Sequence, residues 1–301
     1  MRIIELERKW VGLQRRDPAR FRTLLLPRIT AVVLLLLLLL LFCPQAQAAT
    51  DYECAWAPAS VSAAGAWSAV ASSSTGAVIS AAIKGGGIYT STNGGDVYSG
   101  PSGPVATQAL QWSALAMSSS GVDQIASTDN SVLGQIWYSD DSGATWTASD
   151  AANFDYVSLT MSSDGTKAVA GSTVGLYYST DKGVTWLPST GQAVGPYYAL
   201  AYDVARTHLI AAHSGGRVYT SSDNGVNFAT TSYTPTHAWA AIAWISSTSY
   251  VVAAVTSGGV YWSTDGGNSF TASDAPNTAW TALTLSSSGQ VSITIIQYNT
   301  I

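Results

Sequence analysis

The chain has 301 residues, of which 47% are hydrophobic and only 10% are charged. Aromatic and β-branched residues are abundant, so the low charge does not indicate disorder. After residue 28, five basic residues face fifteen acidic residues, which gives a net charge of −10. This acidic balance argues against a nucleic-acid partner.

The first 48 residues predict a secretory signal or a membrane anchor. Eight of the 13 Lys and Arg residues lie in residues 1–28, an apolar core spans 29–42, and small residues precede a cleavage position after Ala48. This is the order of a secretory signal peptide. The basic segment is long and Leu24–Leu26 extend the apolar character, so a non-cleaved signal anchor is the alternative. Either interpretation places residues 49–301 outside the cytosol, secreted or held at a membrane through residues 29–48.

The rest of the chain, residues 49–301, contains a repeat with a period of 41 to 45 residues. Each copy begins with an aromatic residue followed by small and aliphatic residues, as in Trp112-Ser-Ala-Leu-Ala. A fixed period in this range indicates one supersecondary unit per repeat. The copies begin at Trp67, Trp112, Tyr156, Tyr197, Trp239 and Trp280.

Four short strands are predicted in each repeat. In the third copy they cover residues 156–161, 167–171, 175–179 and 185–188. Two-residue alternation and glycine-rich turns exclude a helical solenoid, and four antiparallel strands per repeat predict an all-β fold, a β-propeller. The predicted blades span about 67–110, 112–150, 156–191, 197–234 and 239–275, with a partial blade at 280–301 closed by residues 54–60. We expect either a six-bladed ring with a defective closing blade or a sequence cut short of a longer ring.

A second pattern, Ser-x-Asp-x-Gly-x-x-Trp, recurs late in each of the five complete repeats. The Asp carboxylate accepts hydrogen bonds from nearby main-chain N–H groups, and Gly adopts a positive φ without a Cβ clash, so the pattern predicts a tight turn between two strands. We call these copies box turns one to five. Their residues are Ser91, Asn93, Gly95 and Tyr98; Ser139, Asp141, Gly143 and Trp146; Ser179, Asp181, Gly183 and Trp186; Ser221, Asp223, Gly225 and Phe228; and Ser263, Asp265, Gly267 and Phe270.

The pattern resembles the Asp-box (BNR) repeat of sialidases, sortilin-type receptors, xyloglucan-active hydrolases and photosystem assembly factors, over residues 54–301. The resemblance implies a propeller of the sialidase-like superfamily whose boxes are structural turns remote from the ligand face. Sialidases hold the substrate carboxylate with three arginines, whereas residues 49–301 contain only Arg206 and Arg217. Sialidase activity is therefore rejected, and the arginine-rich patch of the photosystem factors is also missing.

Two functions remain as expectations. The first is a non-catalytic module that binds a protein or a glycan, because the catalytic residue sets of the family are incomplete. The second is a glycoside hydrolase that uses an Asp pair on the loop face, opposite the box turns, since such enzymes need two carboxyls across a cleft. The Asp residues available for it are Asp129, Asp150, Asp155, Asp203 and Asp274.

Loops opposite the box turns carry the candidate ligand-binding residues. The three histidines show no metal-ligand spacing, so neither a metal nor another cofactor is expected. Cys43 leaves with a cleaved signal, and the odd Cys54 then indicates an intermolecular disulfide or a missing partner cysteine. The candidate binding residues are Lys84, Asn130, His213, Arg217 and His237.

Overall fold

The computed structural model describes residues 65–100, 110–129, 134–203, 208–232, 236–245, 248–285 and 291–292. Within these ranges no helix is long and apolar enough to cross a membrane. The predicted signal or anchor, the closing strand at 54–60, Cys54 and Asn130 lie outside the described residues. The strands are β1 Trp67–Ser72, β2 Ile79–Ile83, β3 Ile88–Ser91, β4 Trp112–Met117, β5 Gln124–Thr128, β6 Ile136–Ser139, β7 Thr147–Ala148, β8 Tyr156–Met161, β9 Ala168–Ser172, β10 Leu176–Ser179, β11 Leu187–Pro188, β12 Tyr197–Tyr202, β13 Leu209–His213, β14 Val218–Ser221, β15 Ala229–Thr230, β16 Trp239–Trp244, β17 Val251–Val255, β18 Val260–Ser263, β19 Thr271–Ala272, β20 Thr284–Leu285 and β21 Val291–Ser292.

The strands form successive antiparallel sheets in chain order. Four sheets have four strands each, β4–β7, β8–β11, β12–β15 and β16–β19, and the first sheet has three, β1–β3. An isolated bridge between Thr90 and Ser99 stands where the fourth strand of the first sheet would lie. We number these sheets as blades one to five, and β20–β21 form a further two-stranded sheet. The prediction of four-stranded antiparallel blades is confirmed.

First strands of successive blades are neighbours. β4 contacts β1 and β8, and β12 contacts β8 and β16. Small residues dominate these strands, as in Trp112-Ser-Ala-Leu-Ala, so the strands can approach each other closely around an axis. The second strands are the most buried, and β2, β5, β9 and β17 have every residue buried. The blades are therefore arranged radially, with the hydrophobic cores between them.

Each blade begins with an aromatic residue and a β-bulge. In blade two the register shifts between Trp112 and Ala114, and the other four blades show the same shift at the same position. A bulge adds twist and redirects a side chain. The Trp112 indole N–H donates to the carbonyl of Gly86 in blade one at 3.0 Å, and the Trp239 indole donates to Gly216 in blade four at 3.0 Å. Trp112 and Trp239 therefore link their blades to the blade before, whereas the Tyr156 and Tyr197 hydroxyls donate to Ala152 O and Ala193 O.

The box turns lie at one edge of the blades. The main-chain N–H of Lys182 in box turn three donates to Thr166 in the β8–β9 loop at 3.2 Å, and the Gly266 N–H donates to Ser249 in the β16–β17 loop at 2.9 Å. We call this edge the box face. The β2–β3 type loops and the connections between blades lie at the opposite edge, which we call the loop face.

Candidate functional site

Box turn three illustrates how the repeated residues build a turn. The Ser179 hydroxyl donates to Asp181 Oδ1 at 2.8 Å and accepts the main-chain N–H of Gly183 at 2.9 Å. Asp181 Oδ1 also accepts the main-chain N–H of Thr185 at 2.9 Å. Lys182 and Gly183 have φ values of 67° and 88°, so two consecutive residues adopt the left-handed region. The serine and the aspartate together satisfy main-chain donors that the tight turn leaves without strand partners.

The other box turns repeat this geometry. Ser–Asp hydrogen bonds of 2.8 Å occur in box turns two, four and five. In box turn one, Asn93 Oδ1 takes the place of the carboxylate oxygen and accepts the Ser91 hydroxyl at 2.8 Å and the Val97 N–H at 3.0 Å. An amide oxygen therefore supports the same turn without a charge.

The box carboxylates are held in the ionised form. Burial raises the pKa of Asp223, but hydrogen bonds from the main chain and side chain of Asn227 and from Ser221 outweigh burial and lower the pKa overall. The same balance lowers the pKa of Asp265 through Ser269 and Ser263. The pKa values of Asp141 and Asp181 are lowered in the same way.

The glycine and aromatic residues of the boxes make contacts between blades. A Cβ on Gly267 would lie 2.3 Å from Ile210 Cδ1 of blade four, and one on Gly225 would lie 2.4 Å from Val169 Cγ2 of blade three. The Trp186 indole N–H donates to Gly183 O at 2.9 Å, and this side chain is buried. The box residues therefore act in turn formation and blade packing.

Lys84 forms an ion pair on the loop face. Its ammonium lies 2.6 Å from Asp129 Oδ2, and the two side chains are 45% and 28% exposed. This contact joins the β2–β3 loop of blade one to the corresponding loop of blade two. An exposed pair of this kind contributes about 0–1 kcal/mol. Lys84, a candidate ligand-binding residue, and Asp129, a candidate catalytic acid, therefore form an ion pair with each other.

The structure brings His213, Arg217 and His237 into neighbouring loops. His213 Nδ1 accepts the Gly215 N–H at 2.8 Å, and its main-chain N–H donates to Arg217 O at 2.9 Å. The His213 ring lies 4.9 Å from the Tyr197 ring. The first histidine is therefore oriented by its own loop and by an aromatic neighbour.

His237 packs among aromatic rings of blade five. Its ring lies 5.1 Å from Trp239 and 4.7 Å from Tyr261, and burial lowers the pKa of the imidazole. The main-chain N–H of His237 donates to Gly216 O at 3.4 Å, which links it to the loop of His213 and Arg217. Lys84 belongs to a different part of the loop face, in blade one.

The candidate catalytic carboxylates are dispersed. Asp150 Oδ1 accepts the Trp186 N–H at 2.8 Å, Asp155 Oδ1 is buried without a hydrogen-bond partner, and Asp274 is exposed. Asp203 is fully buried and follows β12 at the box face, so it does not lie with the loop-face acids. Among the described residues, no three His, Cys, Asp or Glu side chains meet as a metal site.

A groove of about 420 Å³ lies between blades four and five on the box face. His208, just before β13, and Trp244, at the end of β16, have their rings 6.4 Å apart at an interplanar angle of 50°. The Trp244 indole N–H donates to Thr248 O at 2.7 Å. The lining residues come mainly from box turns four and five and include Asp223, Asn227, Phe228, Asp265, Gly266 and Asn268.

Sequence reasoning missed this groove because it assigned every box turn a purely structural role. The signal that could have revealed it is the residue after the box aspartate. That position holds Lys182 in box turn three and Gly266 in box turn five. A side chain is thus absent at the position that borders His208 and Trp244.

Several solved structures share this architecture. No protein-family model and no curated protein matches the sequence. The GH74 xyloglucanase from Xanthomonas campestris aligns with a TM-score of 0.58 and 16% identity, over 73% of this chain and 42% of that enzyme. YCF48 bound to D1 peptide aligns with a TM-score of 0.54 and 12% identity, over 73% and 71% of the two chains. The fold is a β-propeller.

A computationally designed protein, Ika8, is also similar, with a TM-score of 0.55 and 14% identity over 70% of this chain and 63% of Ika8. The propeller spans less than two thirds of the length of Ika8 and of the xyloglucanase. At these identities the similarity shows the fold alone, and function has to be argued from the sites of this propeller.

Proposed function

We propose that this propeller is a non-catalytic, extracytoplasmic module that binds a protein or a glycan, with box turns of the Asp-box (BNR) type. The main support for this proposal is the state of the carboxylates in the groove between box turns four and five. Asp223 and Asp265, the two carboxylates that line it, are both held ionised by hydrogen bonds within their box turns. A glycosidase requires one protonated carboxyl as its general acid, and the environment that supplies one raises its pKa.

Two other candidate acids support the same proposal. Asp129 is paired with Lys84 at 2.6 Å, and Asp150 accepts the main-chain N–H of Trp186 at 2.8 Å. Each carboxylate thus has a structural partner in its own neighbourhood. A general acid or base needs an oxygen within hydrogen-bond reach of the substrate, whereas these oxygens are bound to groups of the protein.

The alternative function is a glycoside hydrolase with an Asp pair on the loop face. One observation favours it: Asp155 has a buried Oδ1 without a hydrogen-bond partner, and it belongs to the same β7–β8 connection as Asp150. The GH74 enzymes that share this fold are hydrolases, whereas YCF48 was solved with a bound peptide. A propeller can therefore support either function.

The two functions differ in whether the protein releases new sugar ends. We would incubate the full chain with a panel of polysaccharides, including xyloglucan, and measure reducing ends over time. We expect no release above the blank for the wild type. Reproducible release that Asp150→Asn or Asp155→Asn abolishes, while Asp164→Asn on the box face retains it, would overturn the proposal in favour of the hydrolase.

The proposed location rests on residues 1–48 and is tested separately. A secreted, cleaved chain would begin at Ala49, whereas an anchored chain would keep residues 29–42 and remain with membranes. Intact-mass measurement of the protein from a secreting host distinguishes the two. Retention of the full chain in the cytosolic fraction would contradict both.

A further inference from the structure

The groove on the box face lies where box turn five lacks the side chain that box turn three carries at the same position. In box turn three, Lys182 follows the aspartate and its ammonium reaches Asp123 of the preceding blade at 2.9 Å. In box turn five, Gly266 occupies the corresponding position, and His208 stands where Asp123 stands in blade two. The space that a lysine fills between blades two and three is therefore open between blades four and five.

Negative charge faces this space. The box carboxylates Asp223 and Asp265 both line the groove, and among the residues that the structure describes its lining includes no Lys or Arg. Asp223 accepts three hydrogen bonds, from the Ser221 hydroxyl, the Asn227 N–H and the Asn227 side chain. A carboxylate has about four acceptor positions. The main-chain N–H of Asp223 also lowers the pKa of this carboxylate, which lines the groove.

Asp265 offers a similar acceptor on the other wall. It accepts the Ser263 hydroxyl at 2.8 Å, the Ser269 N–H at 2.9 Å and the Ser269 hydroxyl at 2.5 Å. The nearby amide groups already donate within the fold, from Asn227 to Asp223 and from Asn268 to Asp265 O at 2.9 Å. Beside the hydroxyl groups of Thr220, Ser222 and Ser249, the groove thus presents two ionised acceptors. A ligand that only donates hydrogen bonds suits it better than a sugar hydroxyl, which both donates and accepts.

Aromatic rings complete the groove. Trp244 is half-buried, its indole fixed by the hydrogen bond to Thr248 O, and the exposed His208 ring lies beside it. Trp is the best aromatic partner for a cation, and a guanidinium both stacks on an aromatic face and binds a carboxylate with its planar fork. Aromatic and acidic walls together match a guanidinium more closely than a compact ammonium.

We propose that the groove between box turns four and five binds the guanidinium group of an arginine in an extended peptide segment of a partner protein. This inference rests on the proposed binding function and names the partner chemistry and the site. Asp223 and Asp265 accept its N–H groups, and Trp244 packs against its face. Gly266 provides the space by lacking a side chain.

The decisive variant is Gly266→Lys. A Cβ on Gly266 would lie 3.5 Å from the Trp244 ring, an ordinary contact, and the equivalent position already holds Ser142, Lys182 and Asn224 at φ values of 62°, 67° and 61°. Gly266→Lys therefore introduces a residue type that box turn three already has at this position, in the same backbone conformation. Its ammonium fills the groove next to the carboxylates and excludes a second cation.

The probe is a fluorescein-labelled peptide, acetyl-Gly-Arg-Gly-Arg-Gly, and its citrulline counterpart, which lacks the charge. Fluorescence anisotropy with the full chain should show at least about tenfold weaker binding for the citrulline peptide, since each lost charge-assisted contact is worth about 1.5–3 kcal/mol. Gly266→Lys should weaken arginine-peptide binding by a similar factor. Asp265→Asn should weaken it about fivefold or more. Asp181→Asn, which removes the same charge from box turn three, should leave it within about twofold.

Equal affinity for the two peptides, absence of arginine-peptide binding, or wild-type affinity in Gly266→Lys would overturn the inference. Displacement of the arginine peptide by cellohexaose would also overturn it, because it would assign the groove to a glycan. These outcomes are independent of the reducing-end assay. Polysaccharide turnover would refute the proposed function, whereas a negative peptide result without turnover would refute only the groove assignment.

Discussion

Lys182 Nζ lies 2.9 Å from Asp123 Oδ1, so an ion pair ties box turn three to the blade before it. Asp123 is buried, and the Lys182 side chain is 49% exposed. The hydrogen bond and charge of Asp123 raise the pKa of Lys182. Box turn three thus combines an internal turn with an ion pair to the preceding blade, made by the side chain after the box aspartate.

Removing Lys182 should loosen blade three from blade two. Lys182→Ala leaves the buried Asp123 carboxylate without its cation, so we expect a lower melting temperature than for Lys167→Ala. Lys167 is the matched control, because its ammonium makes an exposed contact of 3.3 Å to Thr180 O and its charge acts on the exposed Asp164. Equal melting temperatures for the two variants would show that the ion pair does not stabilise the fold.

The raised pKa of Lys182 also determines the pH range in which its ion pair with Asp123 stabilises the fold. A group whose pKa is higher in the folded state stabilises the fold below its unfolded pKa and loses that contribution as the pH rises through the folded value. The melting-temperature difference between wild type and Lys182→Ala should therefore persist at neutral pH and shrink above about pH 10, near the ordinary pKa of lysine. A melting-temperature difference that grows above that pH would contradict a raised pKa of Lys182 in the folded state.

Substitution of the box glycine should be costly because of its neighbour. In Gly267→Ala the new Cβ would lie 2.3 Å from Ile210 Cδ1 at a φ of 88°. Left-handed backbone costs about 1–2 kcal/mol for a non-glycine residue, and overpacking about 1–3 kcal/mol more. Gly94→Ala has a φ of 75° but no neighbour closer than 3.9 Å, so it should show only the backbone cost. Equal losses of unfolding free energy in urea would rule out the packing contact.

Acid should destabilise the fold through the box aspartates. Burial raises the pKa of Asp181, but hydrogen bonds from Thr185 and Ser179 outweigh it and lower the pKa overall. A group with a lowered folded pKa stabilises the fold above its unfolded value of about 4 and loses this contribution as the pH falls through the folded value. Calorimetry should show the melting temperature falling below about pH 4.

Asp181→Asn isolates this effect, because Asn93 shows that an amide oxygen supports the turn. At pH 7 the variant should lose about 1 kcal/mol or less, the difference between a charged and a neutral acceptor. Its acid-induced decline should be shallower than that of the wild type. Parallel declines would mean that Asp181 does not contribute to acid sensitivity.

The repeated tryptophan should matter through its indole N–H. Trp239→Phe keeps a buried aromatic ring but removes the indole donor to Gly216 O, which still accepts the His237 N–H at 3.4 Å. The loss should therefore be about 0.5–1.5 kcal/mol. Tyr198→Phe is the control, since Tyr198 is 50% exposed and should change stability by about 0.5 kcal/mol or less. A loss in Trp239→Phe no larger than that of the control would refute the link between blades.

Most of the architecture could be predicted from the sequence because two local signals repeat. The aromatic residue that opens β8 and the box at Ser179 fix where strands begin and turn, and β8 covers the residues 156–161 expected for the first strand of that blade. The predicted fourth strand, 185–188, is shorter, since only Leu187 and Pro188 pair with β10. The Trp186 N–H is instead held by Asp150 Oδ1, a contact between blades that no local pattern reveals.

The candidate site was less predictable because its residues come from different blades. Lys84 and Asp129 are 45 residues apart, and their pairing follows only from the adjacent placement of blades one and two. The groove likewise depends on His208 of one blade and on Trp244 and Gly266 of the next. Sequence periodicity places residues within a blade, whereas sites between blades depend on which side chains differ at equivalent positions.

Isothermal titration calorimetry on the full chain distinguishes binding without catalysis from substrate turnover. Binding gives heat that saturates, whereas turnover gives sustained thermal power for as long as substrate lasts. We expect saturable heat on titration with the arginine peptide and no sustained power with xyloglucan oligosaccharides. Sustained power with any oligosaccharide, proportional to protein concentration, would contradict this expectation and establish a hydrolase.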